Sequence, residues 1–76
     1  MNETANQIED AIFLHNTHGY TWEQVVLLTI DEKAVKVVEA IRDGLFTDNE
    51  IDTFTAKQFE EKVNRIRIER EVFGAK

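Results

Sequence analysis

Apolar residues recur along this chain at intervals of three and four, the spacing that gathers them on one side of an α-helix. Ala5, Ile8, Ala11 and Ile12 form the first stripe, widened by Phe13 and Leu14, and predict a helix from Ala5 to His15. Asn16–Gly19 is the break, since Asn and Gly tolerate the left-handed backbone that ends helices. Ala34, Val35, Val37, Val38 and Ile41 predict a further helix, stopped at Gly44 with Leu45 folding back over the stop. Asp48–Thr53 reads as a short helix whose acids lie at the positive end of its dipole. Phe59, Val63, Ile66 and Phe73 share one arc of a long final helix, Ala56 to Phe73. Trp22–Leu28 is ambiguous, because Val25–Leu28 has no period and suits a buried strand as well as a buried helix. A lone strand would leave its backbone groups without a ladder, so the helix is preferred.

Hydroxyl residues mark where these helices start. Five of the seven threonines stand three residues before Glu or Gln: Thr4–Gln7, Thr21–Gln24, Thr29–Glu32, Thr47–Glu50 and Thr55–Gln58. Each pair can form a capping box, with the hydroxyl accepting from one amide and the longer side chain returning to another. Asp31 competes with Thr29 as the cap of the third helix. The expected fold is all-α, a small compact bundle of four to five short helices with a longer C-terminal helix, in a single domain over 1–76. Absence of proline and only three glycines agree with that.

A chain of 76 residues is near the lower limit for one self-sufficient core. Phe13, Trp22, Phe46, Phe54 and Phe59 are therefore expected inside, with Tyr20 or Trp22 partly exposed beside a cap. With no cysteine, neither a disulfide nor a thiolate–metal site can staple the fold, and a reducing compartment is compatible. Uninterrupted apolar runs such as Val25–Leu28 do not exceed four residues, and Met1 is followed by no basic stretch. The chain reads as soluble and cytoplasmic, without a membrane partner.

Charge is polarised. The net value is −6, yet residues 1–32 carry six acids and no Lys or Arg, whereas residues 55–76 sum to +2. Glu3, Glu9, Asp10 and Glu23 are expected to form an acidic patch that steers a basic partner. The final helix is apolar on a second side, where Ile68 and Val72 lie opposite the main arc. Together with Phe73 they are the expected hydrophobic contact, with a protein partner or in a homo-oligomer.

Catalytic chemistry has little material here. The chain lacks serine as well as cysteine, so the usual acyl-transfer nucleophiles are missing. His15 and His18 could form a ligand pair only if carboxylates converged on them; a favourable charge at a helix end accounts for His15 more simply. Asp48, Glu50 and Asp52 alternate, but a calcium loop would need Gly and Glu where Thr53 and Phe59 stand. Arg65, Arg67 and Arg70 are interleaved with Glu69 and Glu71, which suits a solvated helix face. No enzyme activity, cofactor or metal is expected.

Tyr20–Leu45 carries the sharpest pattern, Y-T-W-E-Q-V-V-L-L-T-I-D-E-K-A-V-K-V-V-E-A-I-R-D-G-L. It resembles the helix-turn-helix of small DNA-binding regulators, with Thr29 in place of the usual turn glycine. That resemblance implies that Leu28, Ile30, Val35 and Val38 are buried and that Lys33, Lys36 and Arg42 face DNA. Charge opposes the implication, because the exposed positions of the second helix sum to −1 and DNA affinity comes mostly from phosphate neutralisation. The expected function is non-enzymatic protein–protein binding, and in size and acidity the chain resembles small regulators and inhibitors made by bacteria and their phages. Nucleic-acid binding stands as the alternative.

Overall fold

A computed structural model describes residues 3–73 and arranges them as five helices: α1 (Glu3–His18), α2 (Trp22–Leu28), α3 (Glu32–Arg42), α4 (Asp48–Thr53) and α5 (Ala56–Phe73). The bundle is all-α, and Val25–Leu28 is helical. Helix α3 is the hub, packing against α1, α2 and α5. Its apolar stripe is the cleanest in the sequence, and Ala34, Val37, Val38, Ala40 and Ile41 are all buried.

Two buried clusters make the core. Ile8, Ala34, Val37, Ala40, Ile41, Phe46, Ala56 and Phe59 form the larger; Ala11, Val25 and Val38 form the smaller, and Trp22 packs against both. Phe46, Phe54 and Phe59 meet edge to face, with ring centroids 5.1–6.3 Å apart. Lys62 Nζ lies 4.8 Å over the Phe46 ring and donates to Glu50 Oε1 at 2.7 Å, tying α5 to α4. That ammonium, followed by the Thr47 amide, lowers the Glu50 pKa from its ordinary range.

Three of the five threonine pairs form capping boxes. Gln24, Glu50 and Gln58 donate backbone N–H to Thr21, Thr47 and Thr55 Oγ1 at 3.1, 3.1 and 3.3 Å. Their side chains accept from the cap amides at 3.0, 2.9 and 2.8 Å. At the other end of α3, Gly44 (φ 81°) takes the left-handed conformation, and the Gly44 and Leu45 amides donate to the Ile41 and Ala40 carbonyls at 3.1 and 3.0 Å. This is a Schellman stop.

Several expectations are corrected. Helix α1 runs on to His18, because Gly19 (φ 73°) rather than Asn16 supplies the break. Thr29 does not cap α3: its hydroxyl donates back to Val25 O at 2.7 Å, and Asp31 accepts from the Ala34 amide at 3.0 Å instead. Phe13 is exposed rather than core, edge-on to the His18 ring at 5.5 Å, since α1 buries one face only. Leu28 and Ile30, aligned with buried positions of the helix-turn-helix pattern, are exposed, and Val35 is half-buried; Val38 is buried. Tyr20 is exposed and Trp22 half-buried against the core. Among the described residues, no helix is long and apolar enough to cross a membrane.

Candidate functional site

The turn between α2 and α3 is held from across the molecule. Gln7 Oε1, on α1, accepts the backbone N–H groups of both Ile30 and Asp31 at 2.9 and 2.8 Å, while its Nε2 donates to Glu3 Oε1 at 2.8 Å. Thr4, also on α1, donates its hydroxyl to Asp31 Oδ2 at 2.8 Å. Thr4 and Gln7, which the sequence pattern pairs as a local cap, thus work at the start of a different helix. The Thr4 hydroxyl, then the Ala34 amide, keeps the Asp31 pKa below the ordinary carboxylate range. The result is a three-residue turn whose backbone N–H groups are all hydrogen-bonded.

What this turn displays is apolar. Leu27, Leu28 and Ile30 are 84, 55 and 86% exposed, three large hydrophobic side chains within four residues. Leu28 and Ile30 border a shallow cavity of about 250 Å³ against α1, where Glu3 and Asp10 supply the rim and Leu14 part of the floor. We term this surface the ridge. Scattered exposed leucines are ordinary on any protein; here three large apolar side chains stand together at the end of α2 and on a hydrogen-bonded turn, beside two acids, which makes this the candidate site.

The expected site residues divide. Glu3 and Asp10 sit at the ridge; Glu9 and Glu23 are exposed but do not line that cavity. Ile68 and Val72 are exposed on α5, at 53 and 65%, and the Phe73 side chain lies outside the described residues. Leu27 and Ile30 were not identifiable as site residues from apolar character, which argues for burial. One signal did exist: four consecutive helical residues, Val25–Leu28, sweep about 300° around the axis, so they cannot all face one core.

Lys33 and Lys36 lie together, lining a groove between α3 and α5 with Arg67 at its first section and Arg67 and Arg70 at its second. The two sections, about 300 and 250 Å³, share Lys36, Val63 and Arg67 and so form one furrow. Ile66 and Leu45 add to its apolar floor, and Glu39, Asp43 and Glu60 are interspersed with the cations. Arg42 is absent from it, being ion-paired to Asp43 at 3.1 Å.

His15 and His18 are engaged in aromatic contacts. His15 stacks on Trp22 with centroids 3.9 Å apart, and its Nδ1 lies 2.8 Å from Tyr20 O, a contact that requires the proton on Nδ1. Among the described residues no group of three or more His, Cys, Asp or Glu converges as metal ligands would. The cavity at the ridge is smaller than typical small-molecule sites, and both it and the groove are open to solvent.

Comparison with family models, characterised proteins and solved structures yields no match to this chain.

Proposed function

We propose that this protein is a small non-enzymatic regulator or inhibitor that acts by binding another protein through the ridge at the α2–α3 turn. The carrying observation is the Gln7 side chain gripping both amides of a turn whose isoleucine points to solvent. A surface loop with free apolar side chains loses conformational entropy on docking; one already fixed by hydrogen bonds loses less, and binds more tightly for the same area. Leu27, Leu28 and Ile30 supply the desolvated centre, and Glu3 and Asp10 the charged rim. Because residues 1–32 carry six acids and no Lys or Arg, the partner's matching surface is basic. Glu9 and Glu23 add to the long-range field, and Ile68 and Val72 offer a secondary apolar contact. A prokaryotic or phage setting and action in the cytoplasm belong to the same proposal.

DNA reading finds less support. Lys33 and Lys36 do come together, but Arg42 is paired with Asp43 and the Asp31 and Glu32 carboxylates occupy the end of α3 that would enter a major groove.

The test is affinity capture from bacterial lysates with the wild type, a Leu27→Glu/Ile30→Glu variant and Phe13→Glu as an exposed apolar control. A protein retained by the wild type and the control, and lost with the ridge variant, is the expected result. Equal retention by all three would remove the ridge from the mechanism. Micromolar binding to random duplex DNA with a steep salt slope would replace the proposal by the nucleic-acid alternative.

A further inference from the structure

The ridge calls for a partner surface that is concave, apolar at its floor and basic at its rim, and the chain carries one itself. The α3–α5 groove has Val63 and Ile66 in its floor and Lys33, Lys36, Arg67 and Arg70 along its sides. Glu39, Asp43 and Glu60 lie among them, Asp43 being engaged by Arg42 at 3.1 Å, so that the four cations outnumber the three acids. We infer that the occupant of this groove is the ridge of a second copy of the chain, so that two molecules associate with each ridge seated in the other's groove. The inference rests on the reading of the ridge as a contact surface and names its partner.

Charge complementarity decides for this pairing over a ridge-to-ridge contact. Two ridges face to face would oppose Glu3 and Asp10 of one molecule to the same acids of the other, and like charges across an interface repel. Ridge against groove sets those two acids against a furrow in which lysine and arginine outnumber carboxylates. Shape agrees: Ile30 and Leu27 project almost fully, while the groove is a furrow between two helices. Lys33 on the groove wall follows Ile30 by three residues, across the start of α3. Two complementary surfaces on one chain allow a two-fold arrangement in which both contacts form at once and the assembly closes at two.

Sedimentation and light scattering across a concentration series test the assembly. The expected mass is twice 8.8 kDa, without larger species, and association weakens as salt rises. Ile30→Glu and, separately, Lys36→Glu/Arg67→Glu each weaken association by roughly thirtyfold, the loss expected of a central anchor, with helical signal unchanged. A second measurement needs no variant: carbodiimide coupling of mixed light and heavy wild-type chains is expected to join Glu3 or Asp10 of one copy to Lys33 or Lys36 of the other.

A wild type that stays at 8.8 kDa up to millimolar concentration overturns the inference while leaving the ridge open to a foreign partner. A dimer that survives Ile30→Glu overturns it together with the ridge reading. A dimer sensitive to Ile30→Glu but indifferent to the groove variant shows a different ridge contact, and equally overturns it. Loss of duplex DNA binding in the groove variant, with mass unchanged, would assign the groove to nucleic acid instead.

Discussion

Thr4 and Asp31, twenty-seven residues apart, share a 2.8 Å hydrogen bond that joins the first turn of α1 to the cap of α3. Thr4 is buried, and Asp31 spends one carboxylate oxygen on both the Thr4 hydroxyl and the Ala34 amide. A local cap has thereby become a tertiary contact. It fixes the turn that carries Ile30 and follows Leu27 and Leu28 at the end of α2.

Thr4→Val keeps the shape of the side chain and removes the donor. The expected outcome is a lower urea midpoint with unchanged slope, and an Asp31 pKa that moves up toward its ordinary value in an NMR titration. Gln7→Ala, which frees the Ile30 and Asp31 amides, is expected to speed their hydrogen exchange and to weaken partner binding without any change at Leu27 or Ile30 themselves.

Asp31 and Glu50 set the response to acid. Both have native pKa values below those of the unfolded chain, Asp31 through Thr4 and Ala34, Glu50 through Lys62 and Thr47. The native state then binds fewer protons than the unfolded state, so their contribution is complete above the ordinary carboxylate range and is lost as pH falls through the native values. Melting temperature followed by circular dichroism should fall below about pH 4. Asp31→Asn should lower the neutral-pH value and flatten that acid limb.

Core truncations should cost far more than changes on the ridge. Phe59→Ala is expected to destabilise by roughly 3–5 kcal/mol and Val38→Ala by about 1–3 kcal/mol, because both sites are fully enclosed. For a 76-residue domain such losses approach the whole stability. Ile30→Glu, at a position exposed to solvent, should stay within about 0.5 kcal/mol of wild type in the same denaturation experiment.

Ile68→Glu and Val72→Glu probe the secondary apolar contact on α5. Both side chains are more than half exposed, so the helical signal and melting temperature should be retained. Association should weaken less than with Ile30→Glu. Unfolding of both variants would show that these residues support the fold, and would remove them from the contact surface.

Local information was sufficient for most of the architecture. The boxes at Thr21, Thr47 and Thr55 and the Gly44 stop involve residues within six positions of one another, so their hydrogen bonds can be read along the chain. Ile68 and Val72 stand off the main arc of α5 by helical geometry alone, and they are exposed. The ridge was not legible in this way. Leu28 and Ile30 have the composition of core residues, and their exposure depends on where α1 crosses the α2–α3 turn.

The order of apolar and hydroxyl residues by itself determined an all-α bundle, the caps at Thr21, Thr47 and Thr55 and the buried stripe of α3, because each depends on spacings shorter than two helical turns. Only the tertiary structure decided which of the apolar side chains were left over. Thr4 and Gln7 could have capped their own helix; packing of α1 on α3 instead aimed them at Asp31 and the turn amides, which have no partner within their own segment. Tertiary packing likewise left Leu27 and Ile30 exposed and brought Lys36 and Arg67 to one groove.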